Sequence, residues 1–318
     1  MEMTTAIKIE HLTKYFGKRK ILDDLSLETY TGEVFGFLGP NGAGKTTTIK
    51  LIVGLLTIEE GSIFICGHDV SKEFEPALSY VGGIVENPEM YRYMTGMQNL
   101  RHYANMRSGV TKERINEVVE LVGLSNRIHD KVGKYSLGMR QRLGVAQALL
   151  HHPKVLILDE PTNGLDPGGI KHLRDILKNI AHKEDVCVFV SSHMMSEMEM
   201  MCDRVGIILN GKLVDVKTVE EMIQSVDTSI STYTFCVNNA TEARLILESS
   251  YSNCKISLID EKHFTVELSA ENDANTIAEI NKQLIENQIL LYSVFKKEHH
   301  NLEDAFIEMT KIGGEQIA

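Results

Sequence analysis

Residues 39–46, Gly39-Pro40-Asn41-Gly42-Ala43-Gly44-Lys45-Thr46, have the spacing G-x-x-x-x-G-K-[ST], which suits a loop that cradles phosphates. The glycines let the backbone curl so that successive N–H groups point at phosphate oxygens. Lys45 brings a point charge for the β- and γ-phosphates, and the Thr46 hydroxyl is placed to ligate Mg²⁺. Gly39, Asn41, Gly42, Ala43, Gly44 and Thr47 are expected to contact the nucleotide with them. The apolar run Glu33-Val34-Phe35-Gly36-Phe37-Leu38 reads as a strand before the loop, and Thr47–Leu56 reads as a helix after it. The positive end of that helix's dipole would face the phosphates.

A second set of chemical groups closes the apolar run Val155-Leu156-Ile157-Leu158, where Asp159 and Glu160 follow. Alternation puts the two carboxylates on opposite faces unless the strand has already ended. One could then hold Mg²⁺ while the other faces a water. A carboxylate at the C-terminal end of a strand is where doubly wound folds carry their chemistry.

These groups need a scaffold, and the first two thirds of the chain alternate strand and helix patterns. Ala6–Ile9, Ser26–Glu28 and Gly61–Ile65 read as strands, and the runs Lys154–Leu158 and Val186–Val190 suit central strands buried on both faces. Arg204–Leu209, Asn210-Gly211 and Lys212–Val214 read as a hairpin. Residues 96–150 are mainly helical in pattern, a helical insert. Thr218–Gln224 reads as a last short helix, and Ser225–Ser229 is polar. Then come strand (Thr232–Val237), helix (Thr241–Ser249), strand (Cys254–Ile259), strand (His263–Leu268), helix (Asp273–Glu286) and strand (Ile289–Phe295), which is βαβ twice in ferredoxin-like order. Leu302–Thr310 reads as a final helix. Two domains are therefore expected, over 1–224 and 228–318, with the insert at about 88–150.

Composition narrows the class. Hydrophobic content of 43% and charged content of 24% are ordinary for a globular protein. No apolar run approaches the ~18 residues of a membrane span, and no secretory signal opens the chain. Five cysteines without C-x-x-C pairing suit a reduced interior. A net charge of −11 argues against non-specific nucleic-acid binding.

From about residue 5 to 220, the chain resembles the nucleotide-binding subunit of ATP-binding cassette (ABC) transporters, with the family's signatures in order. Phe16, in Lys14-Tyr15-Phe16-Gly17, lies where the family keeps an adenine-stacking aromatic, with Tyr15 the neighbour that could substitute. Tyr135-Ser136-Leu137-Gly138-Met139 resembles the Leu-Ser-Gly-Gly-Gln signature, keeping Ser136 and Gly138 and departing at Leu137 and Met139. Ser136 can cap the following helix and offer its hydroxyl to a γ-phosphate held by another subunit. Pro161-Thr162-Asn163-Gly164-Leu165-Asp166-Pro167 resembles the D-loop, with Asp166 its acidic residue. Ser191-Ser192-His193 follows a strand where the family keeps a histidine that contacts the γ-phosphate.

One departure stands out. In Val85-Glu86-Asn87-Pro88 a glutamate occupies the place of the family's glutamine. A charged carboxylate is a stronger Mg²⁺ ligand than an amide carbonyl and adds negative charge near the γ-phosphate, so Glu86 is a candidate metal ligand and catalytic residue. Glu-Asn-Pro, Ser-Leu-Gly-Met and the tail Asn301–Ile307 resemble cassette subunits of bacitracin-resistance and lantibiotic-immunity exporters.

The resemblance implies an α/β P-loop ATPase with an antiparallel β subdomain and a helical insert, followed by the small α+β domain. It implies ATP and Mg²⁺ as ligands and a head-to-tail homodimer around ATP. It also implies a separate transmembrane permease as partner and a position on the cytoplasmic face of the membrane. Thr46 and Asp159 would hold the metal, Glu160 would polarise the water, and His193 would steady the γ-phosphate. A soluble cassette ATPase without transport, acting on ribosomes, DNA or cofactor assembly, is the alternative.

Overall fold

The computed structural model describes residues 4–224, 230–251, 254–269, 273–297, 301–303 and 305–307. The chain divides into two compact units, Met1–Glu220 and Glu221–Ala318.

The first unit begins with β1 (Thr5–Phe16), β2 (Arg19–Tyr30), β3 (Val34–Leu38), α1 (Lys45–Ile52), β4 (Glu60–Ile65), β5 (His68–Asp69), α2 (Phe74–Ser79) and β6 (Val81–Ile84). The insert contributes α3 (Gly96–Ala104), α4 (Lys112–Leu121) and α5 (Leu137–Ala148). Then follow β7 (Val155–Asp159), α6 (Pro167–Glu184), β8 (Cys187–Ser192), α7 (Met195–Met201), β9 (Arg204–Leu209), β10 (Lys212–Thr218) and α8 (Val219–Gln224), which runs across the unit boundary.

A six-stranded sheet in the order β10-β9-β3-β8-β7-β6 positions the chemistry. All neighbours are parallel except the β9–β10 hairpin. Every residue of β3, β7 and β8 is buried, which is why these strands read as unbroken apolar runs rather than alternating ones. The β9–β10 turn has positive φ at both Asn210 (48°) and Gly211 (81°), the primed geometry that an Asn-Gly pair favours. An antiparallel sheet, β2-β1-β4-β5, packs its apolar side into the same core.

Several boundaries differ from expectation. Strands β1 and β2 are each 12 residues long, not four and three. They bend through register shifts near His11 and Asp24, both at positive φ. Bulges of this kind carry polar residues through a strand and hide its period from sequence. Helix α1 is shifted toward the loop and stops at Ile52, because Gly54 turns out at φ 70° and the Leu55 and Leu56 amides fold back onto the Lys50 carbonyl. Thr218 closes β10 instead of opening the last helix.

The second unit holds β11 (Ile230–Val237), α9 (Ala240–Ser250), β12 (Lys255–Leu258), β13 (His263–Ser269), α10 (Asp273–Glu286) and β14 (Leu291–Lys297). Its sheet order is β12-β13-β11-β14, antiparallel throughout, the ferredoxin-like arrangement of two interleaved βαβ units. Phe235, Phe264 and Val266 form a core with Leu247 of α9 and Ile280 and Leu284 of α10. Of the expected last helix, residues 302, 303 and 305–307 are helical, and 304 and 308–310 lie outside the described residues, as does 225–229.

Among the described residues these two apolar clusters share no residue, one ending at Val216 and the other starting at Tyr233. A chain cut after residue 227 is therefore expected to fold and still bind ATP, because each core is self-contained. Nucleotide titration of the truncated chain, with circular dichroism as the folding control, checks this. A folded fragment that binds no nucleotide would mean that the second unit completes the site.

Candidate active site

The phosphate loop leaves the C-terminal end of β3 and feeds directly into α1. Two of its glycines are required by the fold itself. A Cβ on Gly39 would sit 2.3 Å from the Ile208 carbonyl oxygen, and one on Gly44 would sit 2.7 Å from Leu22 Cδ2 with φ at 116°. The Gly211 amide donates to the Ala43 carbonyl at 3.0 Å, which pins the loop to the β9–β10 turn. Gly44 caps α1 without a side-chain hydrogen bond, so the first amides of the helix remain available to an anion.

Lys45 is buried, and its Nζ donates to the Gly39 carbonyl at 2.7 Å and the Pro40 carbonyl at 3.3 Å. It also pairs with Glu160 Oε1 at 3.3 Å. The cation thus already stands in the curl of the loop where phosphate charge would be neutralised.

The two carboxylates meet the loop from β7, and the tertiary structure resolves their facing. The strand ends at Asp159, and Glu160 adopts φ 49°. That left-handed step breaks the alternation, so both acids turn toward the loop. Asp159 Oδ1 accepts from the Thr46 hydroxyl at 3.3 Å and from the Ser191 hydroxyl at 2.6 Å. Glu160 Oε2 lies 2.8 Å from His193 Nδ1. The Glu160 amide donates to Ser191 Oγ at 3.0 Å. Lysine and histidine therefore hold opposite oxygens of one carboxylate.

Lys45, Thr46, Glu160 and His193 line a cleft of about 470 Å³, with Asp159 and Ser191 bonded behind them and not among its lining residues. Asn41, Gly42, Gly44, Thr46 and Thr47 form its phosphate side, and Glu160 and His193 face them. Phe16, half exposed, stands at the rim with Arg19 and Ile21. Tyr15 is not among the lining residues, and its ring lies 5.6 Å from Lys20 Nζ instead. Gly39 and Ala43 are buried within the loop and are not among the lining residues.

The other expected residues lie elsewhere. Ser136 caps α5, accepting from the Met139 amide at 3.2 Å. Leu137 and Gly138 pack against the D-loop segment: a Cβ on Gly164 would meet Leu137 Cδ2 at 3.0 Å, and one on Gly138 would meet Leu165 Cδ2 at 3.7 Å. Asp166 precedes α6 with Pro167 at the helix's first turn. None of Ser136, Gly138 and Asp166 lines the cleft of its own chain. Glu86 is not among the lining residues either; its carboxylate pairs with Lys50 at 2.9 Å.

Sequence reasoning gave no role to Ser191, Arg19, Ile21 or Asn163, the last of which also lines the cleft. Ser191 had a signal of a kind, since it stands level with Asp159 on the neighbouring parallel strand. That register becomes visible only once strand order is known.

The family described as ABC transporter matches residues 22–163. The chain is 48% identical to the uncharacterized ABC transporter ATP-binding protein YhcH of Bacillus subtilis (strain 168), over 315 residues and 99% of both chains. It belongs to the ABC transporter ATP-binding proteins. Another ABC relative is the bacitracin transport ATP-binding protein BcrA of Bacillus licheniformis, 38% identical over 99% of this chain and 100% of that one. A solved structure of an ATP-binding subunit of an ABC transporter superposes with a TM-score of 0.61 at 27% identity, covering 69% of this chain and 92% of its own. The protein is thus the ATP-hydrolysing subunit of an ABC transporter. Among its described residues, no helix is long and apolar enough to cross a membrane.

Proposed function

We propose that this ABC ATPase powers export of a peptide antibiotic or similar amphiphile through a separate permease, from the cytoplasmic face of the membrane. The observation that carries the ATPase chemistry is the convergence of Lys45, Thr46, Glu160 and His193 on one cleft, with Asp159 bonded to Thr46 at its edge. The cargo class rests on the full-length likeness to the bacitracin transport protein, which extends through the second unit.

The donor set fits Mg²⁺. The Thr46 hydroxyl and the Asp159 carboxylate offer hard oxygens from adjacent elements, and Mg²⁺ commonly takes one or two protein oxygens and fills the rest with phosphate and water. Bound there, the ion would neutralise charge on the phosphates. The protein's own work is division of labour. Lys45 and the open amides of α1 stabilise phosphate charge. Ser191 orients Asp159. Glu160, oriented by His193, accepts the proton of the attacking water. Ser136, Gly138 and Asp166, standing away from their own chain's cleft, complete the site of a second copy in a head-to-tail dimer.

The test is capture of the tagged chain from detergent-solubilised native membranes. One integral membrane protein is expected to co-purify, and the ATPase rate of that complex is expected to rise with a bacitracin-type peptide. Deleting the chain is expected to sensitise cells to such a peptide. Fractionation with ribosomes or DNA, with unchanged sensitivity, would overturn the reading.

A further inference from the structure

Helix α1 presents two side chains, one turn apart, to two neighbouring strand ends. Thr46 and Lys50 lie four residues apart and so share a helix face. Thr46 donates to Asp159 at the end of β7, and Lys50 Nζ pairs with Glu86 just beyond β6 at 2.9 Å. The strands are in parallel register, with Ile84 opposite Leu158. Glu86 and Glu160 each follow that pair by two residues, just past the ends of their strands. Both leave the sheet through a left-handed residue, φ 68° at Glu86 and 49° at Glu160. Helix α1 lies over this edge of the sheet, since a Cβ on Gly83 would meet Val53 Cγ1 at 4.0 Å.

A left-handed glutamate costs free energy that a glycine or asparagine would not. Here the strained residue carries a carboxylate that meets the Lys50 ammonium at 2.9 Å. Both partners are partly exposed, 33% for the Lys50 side chain and 65% for Glu86, so the pair contributes little to global stability. What it can do is fix position. Glu86 sits at the start of the segment that leads from the sheet into the helical insert, and Lys50 sits on the helix that grows out of the phosphate loop.

We infer that Lys50 is a positioning residue for Glu86, and that their ion pair is a strut joining the phosphate-loop helix to the segment leading into the helical insert. This rests on the proposed nucleotide cleft. A movement of α1 when the loop closes on phosphate is then delivered to residues 87–95 through the strut, beside the parallel link from Thr46 to Asp159. A reporter lies within reach: the Tyr91 amide donates to the buried Asn99 Oδ1 at 2.8 Å.

Hydrogen exchange of the full chain, read on peptides covering 85–95, tests the strut. In the nucleotide-free protein, Lys50→Ala and Glu86→Ala are each expected to speed exchange there roughly two- to fivefold, the range an ion pair this exposed supports. The double variant should be no faster than either single one, the signature of a shared interaction. Lys50→Arg and the swap Lys50→Glu with Glu86→Lys should restore protection. In ATPase assays kcat should fall in the single variants with KM little changed, and recover in the swap. Unchanged exchange in Lys50→Ala, or additive effects in the double variant, would overturn the inference. A wild-type chain that binds no ATP would instead sink the cleft reading, while the exchange comparison would still judge the pair.

Discussion

Glu160→Gln is expected to bind ATP normally and to lose turnover by roughly 10²–10⁴, the range for a group that takes a proton in the transition state. The substitution keeps the side chain's shape but removes its charge and most of its basicity. The carboxylate now spans two partners, Lys45 at one oxygen and His193 at the other. An amide can accept through its oxygen from one of them and must present its NH₂ to the second. That mismatch falls on proton transfer more than on phosphate binding, which Lys45 and the loop amides carry. With hydrolysis blocked, the ATP-bound dimer should accumulate. Three measurements check this: nucleotide affinity, steady-state ATPase rate, and size-exclusion chromatography with ATP present. Near-wild-type hydrolysis would remove Glu160 from the mechanism. Loss of binding together with turnover would make it a structural residue of the loop.

Lys45→Ala is expected to weaken ATP binding about 10- to 100-fold, as removal of a hydrogen bond to a charged group costs about 1.5–3 kcal/mol. The fold should survive. The Lys45 ammonium is held by two loop carbonyls and Glu160, and none of these groups belongs to the apolar core beneath. What is lost is the only buried cation in the curl of the loop among the described residues. Glu160 would then keep only the His193 ring, at Oε2, of the two partners that now hold its carboxylate. Its unshielded charge would oppose the incoming γ-phosphate, which deepens the loss. Isothermal titration with ATP, beside a circular-dichroism spectrum, reads both halves of the expectation. Unchanged affinity with intact structure would contradict the site.

Much of the site was legible because its chemistry is local. The phosphate loop is one continuous segment, so its residue types and spacing can be read along the chain. Buried central strands also announce themselves, since a strand covered on both faces cannot alternate. The ferredoxin-like unit was readable for a related reason: its strands and helices are short, regular and separated by polar turns, so the two periods follow one another cleanly. Where sequence misjudged extent, as in β1, β2 and α1, the cause was a bulge or a glycine turn that changes direction without changing hydropathy.

By itself, the sequence determined the identity of the phosphate loop, the paired acids, the α/β class and the second unit's order of elements. These depend on residue type and on spacing along one chain. Only the tertiary structure decided how the acids face, which side chains orient them, and where Glu86 points. Whether Asp159 and Glu160 share a side depended on one left-handed φ at residue 160. The role of Ser191 depended on β8 lying next to β7. The partner of Glu86 depended on α1 crossing over the edge of the sheet, so that Lys50, 36 residues earlier, came within 2.9 Å. Pairing of this kind follows from strand order and helix placement, and periodicity along a single strand or helix carries no record of its neighbours.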